Sequence, residues 1–174
     1  MAHDVFISHS SNDAALAREV CAALEGAGVR CWIAPRDIMP GETWSGAIVN
    51  GIDASRIVIA VVSANANQSR EVLREVELAS RGRKVLIGIR AADVTPSGEL
   101  GYFLSSIHWL NAFPPPVRPH LTELVSVVMN RLGVTAPTPV VEQPAQPEPI
   151  EVDLDDFRRS GRRRIGIHRL FEDS

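Results

Sequence analysis

Along residues 1–134, apolar positions follow two alternating patterns. Short β-branched runs occupy residues 4–8 (DVFIS), 29–33, 57–63 and 84–89, with a weaker run at 107–110. Runs of this length and composition predict strands. Between them, apolar residues recur at the three- to four-residue spacing of one helix face. Leu16, Val20 and Leu24 form such a stripe over residues 13–25, which ends near Gly26 and Gly28. Ile48 and Ile52 mark a helix over 44–54; two more are predicted over 69–81 and 117–132, and a short one around 99–105. The 57–63 run is apolar at nearly every position, as a strand covered on both sides must be. Strands alternating with helices need crossover connections and therefore parallel pairing. The predicted class is α/β: an open, doubly wound, five-stranded parallel sheet with helices on both faces.

The alternation stops at residue 134. Residues 135–157 hold five prolines and six acids, no base and no repeating apolar face, and read as a Pro-rich acidic linker. Residues 158–174 carry six arginines against two acids. This basic tail is a disordered end, a patch for an anionic partner such as nucleic acid or anionic lipid, or the start of a further region. Residues 1–134 are nearly neutral, with 12 bases against 13 acids, so the body has no global field to attract nucleic acid, and none is expected as its partner.

The longest aliphatic run, Ile57 to Val62, is six residues, far short of the ~20 a membrane span requires. The opening MAHDVFISHS has neither the basic nor the apolar region of a secretory signal. Two cysteines, Cys21 and Cys31, cannot make a disulfide framework, and neither His108 nor His120 has paired histidine spacing, so no metal site is expected. Cys21 falls off the Leu16–Leu24 stripe and Cys31 lies in a strand; both read as packed thiols. The expectation is a reduced, cytoplasmic protein without a membrane span.

Ligands of such sheets sit at the carboxyl ends of the strands, here residues 8–13, 34–44, 63–69 and the loop after Ile89. Neither Walker A spacing nor GxGxxG follows the first strand, which excludes a phosphate-cradling loop of those kinds. A phospho-receiver needs aspartates where the first and third strands end, and those ends are Ser8 and Ser63. Ser8 and His9 are adjacent on a strand and point to opposite faces, and no G-x-S-x-G elbow is present, so a hydrolase triad is unsupported.

Three ordered stretches, DVFISHSSND, CWIAPRDIMPGETW and IVIAVVSANANQSREVLREVELA, resemble the best-marked segments of the TIR (Toll/interleukin-1 receptor) domain family, most of all its bacterial branch. The resemblance covers residues 1–134 and implies a flavodoxin-like fold. It also implies one of two functions in defence or cell-death signalling. One is cleavage of NAD+ at the nicotinamide–ribose bond, by hydrolysis to ADP-ribose or by cyclisation, after self-assembly. The other is a non-enzymatic TIR–TIR adaptor. NAD+ is then the substrate, no cofactor is needed, and the partners are other TIR domains in a homo-oligomer or filament.

The resemblance puts the catalytic glutamate at Glu75, six residues past Ser69. Helical geometry can be read independently: Val72, Leu73, Val76 and Ala79 cluster within about 120°, and Glu75 falls about 60° to one side of Val72. That shoulder position suits a side chain lining a cleft. The plainer alternative is a solvated residue in an Arg/Glu ladder beside Arg74. Phe6, His9, Ser10 and Ser11 supply the other wall, with Ser10, Ser11 or Asn12 as helix cap and Phe6 as core. Residues 34–43 resemble the family's BB loop, with Arg36, Asp37, Ile38, Met39, Pro40 and Gly41 as assembly loop. Pro40–Gly41 suits a turn with positive φ at the glycine. Arg36 and Asp37 are expected to face a partner or the substrate, and Trp44 either stacks on the ligand or packs in the core. In several TIR NADases an aromatic residue lies four before the glutamate. Here it is Glu71, whose charge raises the pKa of Glu75 and replaces a stacking surface.

Overall fold

The computed structural model describes residues 3–107 and 109–134. The proposed linker 135–157, the tail 158–174 and His108 lie outside the described residues. Five strands, β1 (Val5–Ser8), β2 (Cys31–Ile33), β3 (Ile57–Val62), β4 (Val85–Arg90) and β5 (Trp109–Asn111), pair in parallel in the order β2-β1-β3-β4-β5. Between and after them run α1 (Ala14–Gly26), α2 (Trp44–Ala54), α3 (Arg70–Arg81), α4 (Gly98–Leu104) and α5 (Arg118–Leu132). This is the flavodoxin-like α/β fold, with the order of strands reversing between β1 and β3.

The two-residue period of the strands divides the core. Val5, Ile7, Ile57, Ile59, Val61, Ile87 and Ile89 pack on one face with α1 and α5. Phe6, Trp32 and Val58 face the other way with α2, and Ala60 and Val62 join α3 and α4 through Val72, Val76, Leu100 and Leu104. Full burial of each such aliphatic side chain contributes roughly 1.5–3 kcal/mol. Two helices that frame the site have side-chain caps. The Thr43 hydroxyl accepts from Gly46 N at 3.3 Å at the start of α2, and the Ser69 hydroxyl accepts from Val72 N at 3.2 Å at the start of α3.

Three local expectations need correction. None of Ser10, Ser11 and Asn12 caps α1 with its side chain; Ser10 and Asp13 stand at the cap positions of the 3₁₀ turn and of α1 without such a bond. Cys21 is packed as expected, but it lies on the buried face of α1 with Ala17, Val20 and Leu24 rather than off it, because the centre of that face is one residue beyond the predicted stripe. The second strand begins at Cys31 rather than residue 29, because Arg30 is held sideways by Asp4: its N–H and guanidinium donate to the Asp4 carboxylate at 2.9–3.1 Å.

Candidate functional site

A cleft of about 560 Å³ opens where β1 and β3 end and the strand order reverses. The carboxyl end of β1 gives one wall, with Phe6, His9, Ser10 and Ser11; the opposite wall is the start of α3, with Ser69, Glu71 and Glu75. Trp44 and Ile48 of α2 close the third side. Among the lining residues there is neither lysine nor arginine, so Glu71 and Glu75 set the sign of the local field.

Glu75 sits where the helical angle puts it, on the edge of the buried face of α3, and it is 9% exposed. Burial pushes its carboxyl pKa up to about 7, and the Glu71 charge adds to the rise. The Ser8 side chain beside it acts in the opposite sense. Ser8 Oγ is nevertheless the one buried side-chain polar atom without a hydrogen-bond partner among the described residues. The hydroxyl and the carboxyl are therefore neighbours short of a full bond, with Glu75 in the cleft lining and Ser8 buried behind it. Arg74 makes no ion pair with Glu75, and the Arg–Glu pairing of this helix falls on Glu77 and Arg81 at 2.6 Å instead.

The other predicted residues divide into two groups. Phe6 is both core and wall: it is 1% exposed and stacks on Trp32, ring centroids 4.8 Å apart, so only its edge reaches the cleft. His9 is held below the ordinary histidine pKa, chiefly by burial, while its Nδ1 lies 3.4 Å from Ile7 O. The imidazole is therefore mostly neutral at pH 7. Ser10 is buried and Ser11 exposed at the rim. Trp44 is 57% exposed, which rules out the core alternative and leaves an indole face free at the cleft mouth. Glu71 is also exposed, its carboxylate accepting from Ser69 Oγ at 3.2 Å.

Arg36 and Asp37 do not join them. The Arg36 guanidinium donates to both Glu25 oxygens (2.8 and 3.1 Å), to both Asp37 oxygens (2.8 and 2.9 Å), to Cys31 O (3.1 Å) and to Cys21 Sγ (3.4 Å). It lines an adjoining cavity of about 440 Å³ between α1 and the loop, which meets the cleft at His9, Ala34 and Pro35 but is not lined by Glu75. Asp37 turns inward to accept from Ile33 N at 2.8 Å. The pair fastens the base of the loop instead of presenting charge, which corrects the expectation that Arg36 lines the substrate cleft. At the loop tip, Gly41 has φ +92° and Glu42 N donates to Met39 O at 3.1 Å, the turn expected of Pro40–Gly41. Ile38 packs against the core edge, and Met39 is 64% exposed.

Sequence reasoning missed Asn65 and Gln68, which complete the cleft from the short helical turn before α3. It also missed the grouping of Cys21, Glu25 and Cys31, whose sulfur and oxygen atoms lie within 4.8 Å of one another with the Arg36 guanidinium against them. A Cys-x₉-Cys spacing across two elements carries no local signal of that kind.

Comparison with known proteins bears on the family and the fold. Residues 5–124 match the model of the TIR domain family. A stimulator of interferon genes protein from Magallana gigas is 30% identical over 105 residues, covering 54% of this chain and 25% of that protein, so the chain spans about a quarter of its relative's length. Among solved structures, the TIR domain of the Toll-related receptor TRR-2 from Hydra magnipapillata aligns with a TM-score of 0.61 at 23% identity, over 74% of this chain and 100% of that one. A metazoan TIR-STING receptor from C. gigas, solved with 2′,3′-cGAMP, aligns with a TM-score of 0.60 at 25% identity, over 72% and 39%. These relatives are metazoan, so the comparisons do not carry the bacterial assignment expected from the motifs. No helix among the described residues is long and apolar enough to cross a membrane.

Proposed function

The chain belongs to the TIR domain family, and we propose that it cleaves NAD+ at the nicotinamide–ribose bond, with Glu75 as the catalytic group. The observation that carries this reading is the burial of one carboxylate at the floor of a cleft at the carboxyl edge of the sheet. Nicotinamide leaves NAD+ as a neutral ring from a cationic one, so departure needs no general acid. The barrier lies in the oxocarbenium-like ribosyl centre, and a carboxylate held in a poorly solvated site stabilises that charge more than it does in water. Ionised Glu75 is the active form, and the cationic nicotinamide ring favours that form when it lies beside the carboxyl. The exposed Trp44 offers a stacking face to a ring of the ligand, and Ser11 at the rim and the buried Ser10 in the wall offer polar contacts. Water completes hydrolysis to ADP-ribose; an adenine nitrogen in its place completes cyclisation.

Self-assembly belongs to the same proposal. The exposed Met39 on a fastened loop is an apolar contact ready for a second copy, in an oligomer or filament serving defence or cell-death signalling. The adaptor alternative draws on Glu71, which stands where a stacking aromatic is expected and places a second charge in the cleft. Concentration dependence separates the two readings. An enzyme requiring assembly loses NAD+ at a rate that rises more than linearly with protein, as followed by proton NMR. An adaptor self-associates over the same range with NAD+ unchanged.

A further inference from the structure

The second cavity, between α1 and the loop base, adjoins the cleft at His9, Ala34 and Pro35 and has the Cys21 thiol in its lining, with Cys31 beside it. We propose that Cys21 and Cys31 form a modification site at which a hydroperoxide oxidises Cys21 and Cys31 resolves it as an intramolecular disulfide.

Three observations converge on this. The two sulfurs lie within 4.8 Å of each other, one on α1 and one on β2, close enough for side-chain rotation to bring them to bonding distance. Cys21 lines the cavity of about 440 Å³, so a molecule of peroxide size reaches it although the residue is 3% exposed; Cys31 is not among the lining residues. Finally, Arg36 Nη1 stands 3.4 Å from Cys21 Sγ, a cation placed to stabilise a thiolate. The Cys21 pKa is accordingly lowered, first by the Cys31 thiol and then, against burial, by Arg36. Cys31 is raised by the same pairing and by burial, so it stays a thiol while Cys21 reacts.

The order of events follows. The Cys21 thiolate attacks the peroxide, breaking the O–O bond and giving a sulfenic acid with release of hydroxide or alkoxide, which takes up a proton. The Cys31 sulfur then attacks the Cys21 sulfur, its own proton leaving with the hydroxyl as water. Two thiols are oxidised and one peroxide is reduced. In the product the Cys21 sulfur carries no charge, so Arg36 loses one of the acceptors that fasten the loop base and keeps Glu25 and Asp37.

The test treats the native chain with hydrogen peroxide and reads intact mass and peptide maps. The expected result is loss of two hydrogens, a Cys21–Cys31 cross-linked peptide, and no dimer on a non-reducing gel. Cys31→Ala should accumulate a dimedone-trapped sulfenic acid at Cys21, while Cys21→Ala should give no adduct at Cys31. Arg36→Gln should slow oxidation several-fold relative to wild type at equal circular dichroism. Dimedone capture at Cys31 in preference to Cys21, disulfides only between chains, or thiols that react only after denaturation would each overturn the proposal. None of these readouts depends on NAD+ cleavage.

Discussion

Ser63 at the end of β3 donates its hydroxyl to Asp13 Oδ2 at 2.6 Å, across 50 residues of sequence. The same Ser63 oxygen accepts from the N–H groups of Asn65 and Ala66 at 3.0 and 3.1 Å, and Asp13 Oδ1 takes the Asn65 amide at 3.1 Å. One hydroxyl thus joins the entry of α1 to the turn that leads into α3, the two walls of the cleft. Ser63→Ala strips a partner from each of three groups, where leaving a buried polar group unpaired costs about 1–3 kcal/mol. A loss of that size in urea unfolding is the expected result. An unchanged midpoint would mean that the turn holds itself.

Glu75 makes stability depend on pH in a direction opposite to most carboxylates. Its folded pKa of about 7 is above the ordinary glutamate value of 4.5. Between those values the folded state binds the extra proton, so this contribution is complete below about pH 4.5 and is lost as pH rises through about 7. Glu75→Gln removes the dependence. Relative to wild type, the variant should gain stability between pH 4 and pH 8, on the order of 3 kcal/mol at most. Parallel stability–pH curves for the two proteins would contradict the burial of the carboxyl.

Neighbours tune that titration in opposite senses. Glu71→Gln removes a repelling charge and should lower the Glu75 midpoint, while Ser8→Ala removes the opposing hydroxyl and should raise it. Carbon-13 NMR of labelled glutamate side chains follows both directly. If both variants moved the midpoint the same way, the assignment of causes would be wrong.

Loop geometry and assembly can be separated by two substitutions. Gly41→Ala strains a backbone at φ +92° and should cost about 1 kcal/mol while altering the loop tip. Met39→Glu places charge on a side chain that is 64% exposed, so it should leave the melting temperature unchanged and weaken self-association. Sedimentation velocity over a concentration series reads the second effect; equal association of Met39→Glu and wild type would remove Met39 from the interface.

Much of this fold was legible because its signals are local. The helix at 44–54 is found at Trp44–Ala54, since Ile48 and Ile52 mark its face and Thr43 its cap. The resemblance singled out Glu75, and the helix angle relative to Val72, Val76 and Ala79 placed it at the edge of the buried face, where it is found. What escaped was the choice of partners distant in sequence. Asp13 gave its carboxylate to Ser63 rather than to a local cap, and Arg36 met Glu25 and Cys21 on a helix that precedes it. Neither choice has a spacing rule, since each depends on which strand end lies beside which loop.

Glu75 is the group proposed to break the nicotinamide–ribose bond. Nicotinamide release from NAD+ at high protein concentration, with wild type and Glu75→Gln compared at matched circular dichroism, tests this role most directly. The expected result is release by wild type, rising with pH through about 7 as the carboxylate ionises, and loss of that release in the variant. Equal release by both proteins, or none by wild type even when crowding forces assembly, would contradict it.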